Sequence, residues 1–484
     1  MRQIGYCIYT LACLAWAQSY FLHKDSHQFI GGSAHQVPTC ATNDSEGRIY
    51  IGGYQYTEES PTLPDGWIVC LDSKGELQWT LTPGGIGPDK IEDIVVGDSL
   101  IYFCGITGSA LSHPEEMPLE RRADFWVGVI NKHTGRLLWQ VKWGSSYIDM
   151  ALTLCLTPYR TLMVGGFTWE DPQIGMQAAI YILQARTGEI LHKQLWGKGP
   201  SLIRRIRPVA TTPYYACIGE QGYYPFVGAV DYLGQIYWRT VFQFHGFPSQ
   251  LSALYPTGNG RIFVGGRYNT RWGIAVLDYS GRVIWEKLWP EEGPKGTPLS
   301  LTVGQDGLLY VTGKQYSHEL TSQELRGGED VWLAALTPDG KLLWERSFGG
   351  PYDEYGVALI SLPKTLLIIS AKENRFKEPP AQTDAWLIWL KSVNCDSIPV
   401  EVQTDAPSLK EKAGRPIRFW MKIPPHYAEE KVLWDFGDGA TATGKEVSHI
   451  YGEPGTYTVQ AIISFRYGCQ QLYLPPLVLR ISRP

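Results

Sequence analysis

Short apolar runs alternate with polar, turn-rich breaks along most of the chain, and they repeat. One run recurs seven times, usually ending in glycine: IYIGG to Gly53, IYFCG to Gly105, LMVGG to Gly166, ACIG to Gly219, IFVGG to Gly266, LYVTG to Gly313 and LIISA to Ala371. A second run follows it, clearest over residues 65–79, 124–139, 272–285 and 330–344. Each copy predicts a strand, a tight turn ending in glycine, and another strand ending in tryptophan. The turn glycines are Gly75, Gly135, Gly188, Gly234, Gly281 and Gly340. The tryptophans are Trp79, Trp139, Trp238, Trp285 and Trp344, with His192 at that place in the third copy. Glycine suits such a turn because it needs positive φ.

Each unit thus carries about four short strands over roughly fifty residues, the size of one propeller blade. A four-stranded sheet cannot bury both faces alone, but radial stacking lets each cover its neighbour, with the repeated tryptophan wedged between. The seventh unit ends in Asp384–Leu390 without a fourth strand. The missing strand is predicted at Tyr20–Gly32, whose Phe29-Ile30-Gly31-Gly32 matches Phe348-Gly349-Gly350. The fold expected is all-β: a seven-bladed β-propeller over 18–394, closed 3+1 by the N-terminal strand. The units resemble the bacterial β-propeller repeats found in secreted proteins. Thr134-Gly135-x-x-x-Trp139 also resembles the tryptophan-docking motif of quinoprotein propellers. The resemblance implies fold, and little about activity.

The last segment, 395–484, reads differently. Trp434-Asp-Phe-Gly-Asp-Gly439, His449-Ile-Tyr451 and Gly455-Thr-Tyr-Thr-Val459 resemble the three motif elements of the PKD domain, an immunoglobulin-like β-sandwich. Trp434 and Phe436 alternate inward on a strand, and Asp435 and Asp438 cap the turn. The resemblance implies a spacer or binding module.

Composition refines this picture. Net charge is −5, with 18 Trp, 28 Tyr, 52 Gly and 32 Pro, which fits short strands and many turns. No basic stripe points to nucleic acid. Arg2, the apolar run Ile4–Leu14 and Ala15-Trp16-Ala17 read as a signal peptide over 1–17, so export to the periplasm or outer surface is expected. A variant reading cuts before Cys13 and anchors the chain by lipid. No later stretch is long and apolar enough to span a membrane. Cys70, Cys104, Cys155 and Cys217 sit in apolar strands as small hydrophobes, whereas Cys395 and Cys469 are candidates to pair.

Catalytic motifs are missing. The sequence has no Asp-box, HExxH, GxSxG, phosphate loop, vicinal cysteines or spaced zinc ligands, so no cofactor or metal is expected. The long second-to-third-strand connections fall in units six, seven, one and two, and should form one crescent; such loops on a rigid scaffold carry binding. The same units place Asp-x-Trp at the start of the third strand: Asp65/Trp67, Asp124/Trp126, Asp330/Trp332 and Asp384/Trp386. Connections between units carry Asp89, Lys90, Glu92 and Arg207, and the candidate binding residues Tyr147, Asp149, Arg204, Arg205, Asp353, Glu354 and Tyr355. A funnel of mixed charge and tyrosine suits a protein, peptide or glycan partner at the cell envelope. The expected function is non-enzymatic binding or scaffolding; the alternative is a glycan-active hydrolase or lyase.

Overall fold

The computed structural model describes residues 20–31, 34–57, 60, 62–108, 122–197, 199–222, 224–242, 249–268, 271–289, 296–316, 328–350, 352–374, 382–394, 400–423, 429–465, 472–474, 476 and 477–483. The expected signal peptide with Cys13, the Cys395 and Cys469 pair, and most of the long connections in units two, six and seven lie outside them.

Among the described residues, seven four-stranded antiparallel sheets follow one another. The first comprises His35–Asn43, Ile49–Tyr56, Asp65–Leu71 and Leu77–Leu81. The second starts at Asp89–Val96, the third at Met150–Leu156, the fourth at Ser201–Pro208, the fifth at Ser249–Pro256 and the sixth at Gly296–Val303. The seventh takes Glu354–Leu362, Thr365–Asn374 and Gln382–Asn394, and its outer strand is Tyr20–Ile30, paired from Tyr20 opposite Asn394 to Ile30 opposite Ala385 with one register shift between Lys24 and Ser26. The core lies between sheets rather than within them. One apolar cluster fills each gap between successive sheets, and another joins Ile49, Ile51 and Val69 of the first to Leu367, Ile369 and Leu387 of the seventh. This architecture is a β-propeller, with the first strand of every sheet innermost and packed on the next.

Two contacts account for the repeated residues. Every first strand carries a β-bulge at the same register, at Thr39, Glu92, Leu152, Arg204, Ser252, Leu299 and Val357. The bulge pushes a carbonyl toward the second strand. A Cβ at Gly53, Gly105, Gly166, Gly219, Gly266 or Gly313 would stand 1.8–2.2 Å from that oxygen, so the second strand carries glycine there. In the first, second, fourth and fifth units the repeated tryptophan, third in the fourth strand rather than at its end, lies over the next unit's hairpin turn. Trp79 Nε1 donates to Lys132 O (3.2 Å), Trp238 Nε1 to Tyr279 O (2.9 Å) and Trp285 Nε1 to Pro338 O (3.3 Å). The Asp-x-Trp tryptophans Trp67, Trp126, Trp332 and Trp386 are buried between sheets.

Residues beyond the propeller form a β-sandwich. One sheet holds Glu401–Thr404, Pro416–Lys422 and Glu446–Ile450, and a six-stranded sheet is built around Gly455–Phe465. Phe419, Trp434, Phe436, Tyr451, Ile463 and Leu479 form its core.

Candidate functional site

The first strands line a central channel, and alternation of strand direction sorts the connections. Links between sheets, and between second and third strands, open at one end. Hairpin turns open at the other. At the first end the channel mouth gathers Tyr54, Lys90, Glu92, Arg204, Arg205 and Tyr355. Lys90 Nζ sits 4.5 Å over the Tyr54 ring. Burial raises the Glu92 carboxyl, while Arg205, Lys90 and Arg204 pull it down. Burial, then the neighbouring phenols of Tyr355 and Tyr56 and the charge of Glu92, push the Tyr54 phenol up.

Deeper in, Asp93 and Arg207 tie the second sheet to the fourth. Arg207 Nη1 and Nη2 donate to Asp93 Oδ2 (2.9 Å) and Oδ1 (3.1 Å). Thr153 Oγ1 (2.8 Å) and the Leu154 amide (3.1 Å) of the intervening sheet donate to the same carboxylate. Burial works against the charge, but Arg207, Arg205 and these hydrogen bonds hold the Asp93 carboxyl below its ordinary range. The equivalent polar residue recurs: Thr153 accepts the Ile206 amide and Ser300 accepts the Leu359 amide, each from the following sheet. Beyond Arg207 the channel widens into a cavity of about 450 Å³, lined by Arg205, Arg207, Asn43, Ser252, Ser300 and Thr302 among others.

The structure divides the sequence-selected residues into two groups. Arg204, Arg205 and Tyr355 reach the mouth. Arg204 Nη2 donates to Glu220 Oε1 at 2.7 Å, and Arg205 Nη1 donates to the Leu152 and Arg204 carbonyls at 3.0 Å each. Burial, then the charge of Glu329, raises the Tyr355 phenol. Tyr147 is exposed and stacks on Trp169, with centroids 5.6 Å apart. Asp149 and Glu354 are 0% exposed and support the connections instead. Asp149 accepts the Ser145 amide (2.5 Å), the Trp169 amide (3.0 Å) and the Thr168 hydroxyl. Glu354 accepts the Gly350 amide (3.1 Å), as Asp89 accepts that of Gly85 (2.7 Å). Asp353 accepts the Glu329 amide (3.0 Å).

The preceding sheet's Asp-x-Trp aspartate meets these supports. A point at the Cβ position of Gly84 lies 2.6 Å from Asp65 Oδ1 and 3.0 Å from Asp89 Oδ2; at Gly144 the corresponding oxygens belong to Asp124 and Asp149. Burial lifts the Asp330 carboxyl to about 6 and that of Glu354 to about 7, against the pull of Lys372, whose Nζ is 3.4 Å from Glu354 Oε1. Sequence reasoning overlooked Tyr54 and Asp93 as parts of the channel. The signal for Asp93 was present, since it is an acid directly before the apolar run Ile94-Val95-Val96 of the strand Asp89–Val96.

In the sandwich, the acids of the Trp434–Gly439 motif cap turns: the Gly437 amide donates to Asp435 Oδ1 (2.9 Å) and the Ala440 amide to Asp438 Oδ1 (3.0 Å). Asp438 Oδ2 also pairs with His449 Nε2 at 2.6 Å, while the His449 ring stacks on Phe436 at 4.2 Å. Among the described residues, no group of three or more His, Cys, Asp or Glu is placed to hold a metal, and no helix is long and apolar enough to cross a membrane. Cys40, Cys70, Cys104, Cys155 and Cys217 are buried free thiols.

Residues 408–472 match the PKD domain family. A solved structure described as the structure of Dos1 propeller is similar over 77% of this chain and 96% of that one, with 10% sequence identity and a TM-score of 0.42. No curated protein matches the chain.

Proposed function

We propose that this protein is a non-enzymatic binding or scaffolding protein of the bacterial cell envelope or surface. Its propeller is read as seven-bladed, which the succession of seven sheets and the apolar cluster between the seventh and the first support. The mouth of the channel is the binding surface, for a protein, peptide or glycan. The observation carrying this reading is the convergence of Tyr54, Lys90, Glu92, Arg205 and Tyr355 on one rigid, bulged ring of strands. Side chains held by a rigid scaffold lose little freedom on binding. Glycoside hydrolysis commonly needs two carboxyl groups flanking the bond. Among the described carboxylates near the mouth, Asp93 is engaged by Arg207, Thr153 and Leu154, and Glu220 by Arg204. The run Ile4–Leu14 followed by Ala15-Trp16-Ala17 supports export. The PKD domain serves as spacer or second contact.

The test compares capture from an envelope extract by the full chain and by the variant Arg204→Ala/Arg205→Ala/Tyr355→Ala. A partner held by the first and lost by the second is expected. Equal capture by both would remove the mouth as the binding surface.

A further inference from the structure

The hairpin-turn end of the propeller carries a second, separate feature. In the third and fourth sheets the turns present tyrosines in mutual contact. Tyr159, 63% exposed, and Tyr232, 44% exposed, meet across the boundary between the two sheets with centroids 5.1 Å apart. Tyr214 and Tyr237 stack at 4.1 Å with an interplanar angle of 18°, and Tyr237 is 62% exposed. Paired rings hold one another in a single orientation. With Tyr159 and Tyr232 tilted by 51° and one face of Tyr237 covered by Tyr214, the ring surface left exposed is held at little cost in side-chain freedom when something binds.

The backbone beneath is left-handed at a side-chain-bearing residue in both turns. The turn between first and second strands passes through a left-handed residue, which is Gly47, Gly260 and Gly307 in the first, fifth and sixth sheets. The third, fourth and seventh sheets place Arg160 (φ 58°), Thr211 (φ 67°) and Lys364 (φ 57°) there. A β-branched residue in that region is strained, and such strain concentrates at functional sites. Here it keeps a polar side chain in the same turns as the rings.

We propose that these turns form a polysaccharide-binding platform. The apolar C–H faces of pyranose rings would stack on Tyr159, Tyr232 and Tyr237, with Arg160, Thr211 and the phenol hydroxyls meeting the sugar hydroxyls. A protein partner wants a continuous apolar core ringed by polar groups. Here polar side chains and rings alternate within the turns. Because the platform lies at the opposite end of the strands from the channel mouth, it does not depend on what the mouth binds.

Native gels cast with a soluble β-glucan, a xylan or an alginate test this on the full chain. Retardation in at least one gel is expected. The variant Tyr159→Ala/Tyr237→Ala should weaken it about tenfold or more, and Tyr159→Phe/Tyr237→Phe should retain most of it. The mouth variant Arg204→Ala/Arg205→Ala/Tyr355→Ala should run as the unaltered chain does. No retardation in any of the three gels would overturn the proposal. So would retardation unaffected by the two alanines.

Discussion

The indole of Trp79 lies where a side chain on Gly135 would have to go: a Cβ at Gly135 would stand 2.7 Å from the Trp79 ring. The same relationship joins Trp139 to Gly188, Trp238 to Gly281 and Trp285 to Gly340. Gly135 also has φ of 68°. Two constraints therefore act on one residue, a left-handed backbone and an occupied space. Gly135→Ala should destabilise the protein by about 2–3 kcal/mol in denaturant unfolding. In a Trp79→Ala background the same change should cost less, and additive costs would show that the indole does not set the constraint.

Asp93 and Arg207 are the bond across the channel. Arg207→Leu leaves a buried carboxylate with only neutral donors, and a loss of roughly 2–4 kcal/mol is expected, reduced somewhat because Arg207 is about one-third exposed. The Asp93 carboxyl lies below its ordinary value when folded. Its contribution is present above the unfolded value and is lost as the pH falls through the folded one. Urea titrations of the unaltered chain and Asp93→Asn between pH 3 and pH 6, roughly the carboxylate range, should converge at the acid end.

Glu354 works in the opposite sense. Its folded carboxyl titrates at about 7, above the unfolded range, so folding takes up a proton between them. The stability is full below the unfolded value and falls as the pH rises through 7. The swing is on the order of 3 kcal/mol. Glu354→Gln should flatten this dependence and stabilise the chain at pH 8, roughly a unit above the folded titration. An unchanged slope would place the proton elsewhere.

Thr211→Gly should stabilise the propeller by about 1 kcal/mol, because glycine relieves the left-handed strain. Thermal unfolding reads this directly, and a lower midpoint would mean that the threonine side chain contributes more to the turn than the strain removes.

Much of the fold was legible in the chain, and the reasons are local. Glycine at a positive-φ turn and tryptophan as the third residue of the fourth strand recur in most units, so they repeat visibly. His192 shows the rule by exception. With no indole there, Gly234 lies against Ile180 and Gln194 instead. The outer strand of the seventh sheet was legible because Phe29-Ile30-Gly31 copies a fourth-strand ending. The candidate site was read less well. Asp149 and Glu354 look like polar loop residues, yet each accepts an amide four residues earlier and is buried by the connection it supports. Gly85 and Asp89 share that spacing, a pattern visible in sequence but easily mistaken for surface charge. The bulges were not legible, because an extra residue in a strand leaves the apolar alternation almost intact on either side.

The pairing of Tyr20–Ile30 with Gln382–Asn394 has a kinetic meaning. A chain made from its N-terminus offers the outer strand first and its partner only after the other six sheets exist. Until then the growing stack has two uncovered apolar ends, one at each terminal sheet. Closure therefore joins residues far apart in sequence, the kind of contact that forms late and slowly. Once made, it leaves no terminal sheet from which the stack can fray, so the propeller should unfold as one unit through a slow opening at this seam.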